Sequence, residues 1–412
     1  MLPDRIATIL RQFMLAARNL TRQRKRSALA LATVGGGVAA FVLAGGFINW
    51  IFQDLRESTI HSQLGHIQIT RPGYFESGLG DPYRYLLPDR LEKAVVQAKH
   101  VVTVAPRLAF SGLLSKGDET IAFLGEGVDP LAEKGISRSI TIIDGHDMSS
   151  PTAREVLVGE GLAANLGARA GDTVVLLVTT ADGGINAVEV KISGIFATVA
   201  KAYDDTVLRA PISVARDLMR VQGATSWVVL LSDTKSTDSA MASLSAVLSA
   251  SEYQLHPWYS LADFYNKTVE LFSKQIGVVR LLIALIVVLS ISNTLSMSVM
   301  ERTTEIGTSM AIGVRRSGIL GLFLSEGVLL GIAGGLIGVA LALVIGTIVS
   351  AVGIPMPPPP GMARGYIGEI AISPALVIDG FVLAFTTTLL ASIFPAWKAS
   401  RMNVVDALRH QR

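Results

Sequence analysis

Apolar residues run almost unbroken in four long stretches, Ala28 to Phe52, Ile276 to Met300, Ile319 to Ser350 and Ala375 to Phe394, with about two hundred residues of mixed polarity between the first and second. Each stretch reaches the roughly 20 residues that a helix needs to cross a bilayer. None shows the polar stripe that a soluble amphipathic helix of that length would carry. The pattern predicts an α-helical membrane protein with four transmembrane helices and a mixed α+β domain inserted between the first and second. The expected divisions are a cytoplasmic segment 1–27, spans at 28–52, 276–300, 319–350 and 375–394, an extramembrane domain with a helical stalk at 53–275, a cytoplasmic loop at 301–318, an outer loop at 351–374 and a cytoplasmic tail at 395–412.

Composition agrees, because a half-apolar chain with only 17% charged residues is too apolar for an ordinary soluble protein of 412 residues. The net charge of +3 gains meaning only when mapped. Arg22, Arg24, Lys25 and Arg26 precede the first stretch, Arg315 and Arg316 lie between the second and third, and Lys398, Arg401, Arg409 and Arg412 follow the fourth. Short cytoplasmic flanks hold the Lys and Arg excess, so both termini and the second-to-third loop are expected in the cytoplasm and the large domain outside. The first stretch is longer than a cleavable signal core and reads as an uncleaved anchor. A basic cluster abutting a span is explained by topology and anionic membrane lipid, and no nucleic acid is expected as a partner. The chain has no cysteine, so disulfides and thiolate metal sites are excluded.

Within the domain the apolar period shortens and turn residues multiply. His66 to Thr70, Glu155 to Val158, Thr173 to Thr179, Ala187 to Ile195 and Trp227 to Ser232 read as strands, and Gly159 to Leu166 as a short helix stopped at Gly167. Gln53 to Leu64 and Ser260 to Phe272 read as continuations of the first and second spans, forming a stalk. His61, His66, His100, His146 and His256 fall into no metal-ligand or triad spacing. The adjacent carboxylates Asp204 and Asp205 read as a solvated turn. No catalytic, cofactor-binding or metal-binding residue is predicted.

In the membrane, Gly327, Gly331 and Gly335 recur every fourth residue of the third stretch, with Gly334 and Gly338 on a neighbouring face and Gly35 to Gly37 in the first stretch. Small residues at this spacing let a second helix approach closely, either within the chain or in another subunit. Arg280 and Glu326 lie near span ends, where both can snorkel to an interface. The proline run Pro357 to Pro360 reads as a stiff spacer.

The most specific local signal is MERTTEIGTSMAIGVRRS, Met300 to Ser317, between the second and third spans. Charged residues alternate with Ile306, Met310 and Ile312 at helical spacing, which predicts a short amphipathic helix on the inner membrane surface. Glu301, Arg302, Glu305, Ile306 and Gly307 match the Glu-Arg-x-x-Glu-Ile-Gly pattern of the permeases of the MacB and FtsX group of ATP-binding-cassette transporters. REVLVGEGLAANLGARAGDTVVL at Arg154 to Leu176, VEVKISGIF at Val188 to Phe196 and FPAWKASRMNVVDALR at Phe394 to Arg409 are also similar to that group. The resemblance covers nearly the whole chain, and GHIQITRPGYFE at Gly65 to Glu76 resembles its lipoprotein-releasing branch.

That resemblance implies a MacB-like periplasmic core domain, an inner-membrane location, and a coupling helix that docks on an ABC ATPase. Glu301, Arg302, Glu305, Ile306, Gly307 and Met310 would be the coupling residues, the two glutamates as polar contacts and Ile306 and Met310 filling an apolar groove. A tail helix from Asn403 to Arg409 is a second candidate contact. The sequence holds no phosphate loop, so ATP and Mg are expected on a separate ATPase subunit. A second permease copy or a related permease, membrane lipid, and a periplasmic adaptor or lipoprotein complete the implied partners. Three functions remain open: lipoprotein release or export of a lipophilic substrate, peptide or antibiotic efflux with an adaptor, and a signalling scaffold that activates an outside hydrolase. An anchored periplasmic enzyme is disfavoured by the lack of a catalytic grouping.

Overall fold

The computed structural model describes residues 2–78, 81–357 and 365–404, with side chains from Gln12 onward. It divides into a helical unit, comprising the chain up to Ile51, Glu270–Pro355 and the chain from Ile367, and a sheet unit, comprising Phe52–Val269 and Met356–Tyr366.

Among the described residues, four helices are long and apolar enough to cross a membrane: Arg24–Leu64, Asp263–Glu301, Arg316–Val352 and Pro374–Ser400. They are called the first to fourth long helices. The first is α-helical to Thr59 and then widens into a π-turn, Ile60–Leu64. Ahead of it lies a further helix, Leu2–Arg22, inside the expected cytoplasmic segment 1–27.

Glycine decides how closely the long helices pack. A Cβ built on Gly327 would come within 2.6 Å of Ser392 Cβ, one on Gly331 within 2.2 Å of Thr388 Oγ1, and one on Gly335 within 2.9 Å of the Phe381 ring. All three therefore face the fourth long helix of the same chain. On the neighbouring face, Cβ atoms on Gly334 and Gly338 would meet Val34 and the Gly35 carbonyl at 2.7 and 2.6 Å, so that face meets the first long helix. In lipid such close approach substitutes packing for the hydrophobic drive that water would supply. Val34, Val38 and Val42 fill the bundle together with Val287, Ile291, Leu295, Leu330 and Leu383. The second long helix keeps a broad apolar face outside this cluster, with Leu281, Leu282, Ile286 and Leu289 all exposed.

Among the described residues, ten strands make up the large sheet of the sheet unit: β1 Ile67–Thr70, β2 Val101–Lys116, β3 Glu119–Val128, β4 Thr141–Gly145, β5 Glu155–Gly159, β6 Thr173–Thr179, β7 Ile185–Ala197, β8 Val207–Pro211, β9 Ser226–Leu231 and β10 Gln254–Pro257. Two long strands, β2 and β7, each change partners along their length. The upper part of β2 pairs with β6, and its lower part with β9. Because β3 joins β2 to β8, β8 joins β5, β5 joins β7 and β7 returns to β6, six strands close into a small barrel. Its interior is filled by side chains, among them Leu108, Phe110, Phe123, Val158, Leu176 and Ile192. The remaining arm runs β10-β1-β9-β2. In β9, Trp227, Val229 and Leu231 pack to one side with Ala240 and Leu244, while Val228 and Leu230 pack to the other with Ile60 and Trp258. Burial on both faces explains the unbroken apolar run of this strand.

One local reading needs correction. Asp204 is no solvated turn residue: it is 1% exposed, and its carboxylate accepts the Thr198 N–H at 3.0 Å and the Thr198 hydroxyl at 2.8 Å. Only Asp205 matches the solvated reading, pairing with Lys201 at 2.7 Å.

Candidate functional site: the loop between the second and third long helices

The second long helix ends at Glu301, and a separate helix, Thr303–Ala311, follows after a break at Arg302. Here Arg302 leaves helical geometry, with φ −99° and ψ 16°. Gly313 has φ +105°, a conformation that L side chains rarely adopt, and it turns the chain toward Arg316, where the third long helix starts. The loop helix is therefore bounded by a non-helical residue at its start and a left-handed glycine turn at its end.

Arg302 faces its own chain. Its guanidinium donates to Glu326 Oε1 at 2.9 Å and to Glu305 Oε2 at 3.2 Å, and lies over the Phe323 ring at 5.6 Å from the centroid. Glu326, expected to snorkel, is 2% exposed and instead closes this pair from the third long helix. The reason is local: Asn19 Nδ2 donates to the same carboxylate oxygen at 2.9 Å, so Glu326 is satisfied without reaching water. Arg302 thus fastens the loop to the third long helix, with 15% of its side chain exposed.

Ile306 is likewise turned inward. It is 4% exposed, in a cluster with Val299, Ile319, Phe323, Ala396 and Ala399, and Met310 packs partly buried against the same cluster. Ile306, expected to fill a groove on another protein, is packed here into the chain's own core. Gly307 is also buried. The apolar side chains that do reach out are Met300, Ile312 and Val314, with Ile312 80% exposed.

The two glutamates stay accessible. Glu305 Oε1 accepts Arg22 Nη1 at 3.2 Å, and Glu301 is bonded by Arg26. Together with Asn19 and with Gln23, which accepts the Ser298 hydroxyl at 3.2 Å, these arginines form one face of the N-terminal segment. Their positions, 19, 22, 23 and 26, have the spacing that puts side chains on one side of a helix. The basic cluster therefore does more than mark topology: two of its members neutralise the loop. Sequence reasoning missed this, although the spacing of Asn19, Arg22, Gln23 and Arg26 was the available signal. The predicted tail helix lies, beyond Val404, outside the described residues, as does most of the proline run.

A second polar cluster, unforeseen from sequence, sits in the sheet unit. Glu133 takes Arg107 in a fork at 2.6 and 3.0 Å and Arg209 at 3.2 Å, while Arg209 also reaches Glu126 at 3.1 Å and Ser137 at 2.8 Å. Burial alone would raise the Glu133 carboxyl, but the two guanidinium groups outweigh it and hold it at about 2. The same exchange, read from the other side, raises Arg107 and Arg209 despite their burial. Among the described residues no group of three His, Asp or Glu is placed to hold a metal.

Among the described residues, long apolar helices, an inserted sheet domain and a charged loop helix are the features that a comparison with known families has to match. Residues 277–404 match the family described as FtsX-like permease C-terminal, and residues 27–247 match the MacB-like periplasmic core domain. The chain belongs to this MacB-like, FtsX-type permease family. It is 24% identical over 421 residues to the macrolide export ATP-binding/permease protein MacB of Psychrobacter arcticus, an alignment covering 98% of this chain and 60% of that protein. To the pyoverdine export ATP-binding/permease protein PvdT of Pseudomonas aeruginosa it is 32% identical over 162 residues, 39% of this chain and 22% of that protein. The chain thus spans 60% of the length of the MacB relative. The solved periplasmic region of MacB from Actinobacillus actinomycetemcomitans matches with a TM-score of 0.35 at 15% identity, over 50% of this chain and 94% of that one.

Proposed function

We propose that the chain is the transmembrane permease subunit of an ATP-binding-cassette transporter, with both termini and the loop helix in the cytoplasm and the sheet unit in the periplasm. ATP and Mg are bound and ATP is hydrolysed outside these 412 residues, on an ATPase subunit that grips the loop. The observation that carries this reading is the loop itself. Arg302 and Ile306 tie it to the third long helix, while Glu301, Glu305 and Ile312 remain on its outer side. A partner pulling on those outer residues moves the bundle rather than unravelling the loop.

The substrate is a lipophilic molecule taken up outside the membrane or from its outer leaflet, and the work on it is mechanical. Two relatives carry export names, which supports export over lipoprotein release. The lipoprotein reading rested on Gly65 to Glu76, and in that stretch Ile67, Ile69 and Tyr74 are core residues of the sheet unit. Their apolar character is accounted for by folding. The exposed apolar face of the second long helix suits a second permease copy or a related permease as well as lipid. The test is purification of the tagged chain from its native membrane in mild detergent, with mass spectrometry of what accompanies it and an assay for ATP hydrolysis. A co-purifying, active ATPase supports the reading. A lone, inactive chain, in a detergent that preserves a control transporter, overturns it.

A further inference from the structure

Within the sheet unit, which takes in the end of the first long helix from Phe52, a line of hydrogen bonds leads from Glu57 on that helix to the end of β9. Leu231 N–H, at the end of β9, donates to His66 Nδ1 at 3.1 Å. An acceptor at Nδ1 requires the ring proton on Nε2, which faces Thr234 Oγ1 at 3.1 Å. The Thr234 hydroxyl proton is then free to go to Glu57, whose carboxylate oxygens lie at 3.0 and 3.3 Å. Each donor direction in this line follows from the one before it, and His66 itself is 1% exposed.

The His66 ring has little freedom to move. Its backbone N–H is bonded to Val229 and its carbonyl to Trp258 N–H, at 2.9 and 3.0 Å. Gly65 precedes it at φ +62°, where a Cβ would come within 2.3 Å of Val228. A second ring proton, placed on Nδ1, would point at the Leu231 N–H across 3.1 Å. Two donors cannot share that gap, so either the end of β9 or the ring must withdraw, and the link through Thr234 to Glu57 goes with it.

We propose that His66 is the positioning residue of a joint inside the sheet unit, between Glu57 on the helix that enters it and the end of β9, and that its protonation opens the joint. The charged groups around it divide in sign. Glu57 on the helix and Asp233 after β9 favour the proton, whereas His61 on the π-turn and Arg138 before β4 oppose it. Burial is the largest influence and also opposes it, so the ring is pushed down from the ordinary 6.5 to about 4. The closed joint binds the proton more weakly than the open one. Closure is therefore fully favoured above about pH 6.5 and loses ground as pH falls toward about 4, with a shift in the closed-to-open ratio on the order of 100-fold. This acid sensitivity goes beyond the transport reading and does not depend on an ATPase.

The chain has no cysteine, so paired labels can be placed without background. Cysteines at Gln53 on the first long helix and Ser243 on the helix Thr237–Val247, both exposed, would carry nitroxides in the full chain in lipid nanodiscs. Wild type should give one narrow distance at pH 7.5 that broadens reversibly between pH 6.5 and 4. In His66→Gln the amide accepts from Leu231 and donates to Thr234 but does not titrate, so its distance should stay narrow throughout. Thr234→Val should broaden it already at pH 7.5. A wild-type distance unchanged to pH 4, a His66→Gln distance that broadens as wild type does, or a Thr234→Val distance that stays narrow at pH 7.5 would each overturn the proposal.

Discussion

Two sets of arginine and glutamate hold this protein in different ways. In the sheet unit, Arg107, Arg209 and Glu133 have side chains no more than 6% exposed and every charge is answered at hydrogen-bond distance. At the loop between the second and third long helices, Arg22 and Glu305 pair with 78% and 49% of their side chains exposed. Charges taken out of water are costly to separate, whereas exposed pairs exchange readily with solvent or with another protein. The first set fixes a domain; the second is free to trade partners. Arg302 links the two modes within the loop, because its side chain is 15% exposed and its partner Glu326 2%.

The contrast can be broken in order of effect. Glu133→Ala should cost the sheet unit about 3–5 kcal/mol, since it strands two buried guanidinium groups. Faster hydrogen exchange across β2, β3 and β8 would register it. In the unaltered protein, Glu133 titrates near 2 when folded against 4.5 ordinarily, so its stabilisation is complete above pH 4.5 and fades as pH falls toward 2. That loss amounts to about 3 kcal/mol and should be missing from the acid denaturation profile of Glu133→Gln. Arg302→Ala leaves Glu326 buried without its cation and should free the loop, seen as proteolytic cleavage between Thr303 and Arg316 at least tenfold faster than in wild type. Arg22→Ala, by contrast, should change stability by less than about 1 kcal/mol and leave that cleavage rate unaltered.

Sequence made the membrane unit more legible than the domain. The four apolar stretches lie inside the long helices because hydrophobicity sustained over 20 residues has few other outcomes. The glycine stripe was visible as a contact surface, but its partner was a matter of tertiary packing. In the sheet unit, β1, β5, β6, β7 and β9 announced themselves by apolar or alternating runs between turns. The two longest neighbours, β2 and β3, did not, because they carry Pro106, Gly112, Gly125 and Gly127. Each of those residues weakens a local strand signal, yet Pro106 pairs with β9 just before β3 joins at Arg107, and Gly125 leaves room for the Phe110 ring. The ion cluster escaped notice because Arg107, Glu133 and Arg209 are far apart in sequence. At the loop, the motif located the site, but helical periodicity could not say which apolar residues face the chain's own core.

The central claim is that the loop presents Glu301 and Glu305 to an ATPase while Arg302 and Ile306 hold it to the bundle. Its most direct measurement is recovery of the ATPase with the tagged chain carrying Glu301→Lys and Glu305→Lys together, normalised to the amount of chain in the membrane. The account predicts normal membrane insertion with at least tenfold less ATPase recovered. Recovery equal to wild type, with insertion intact, would contradict it.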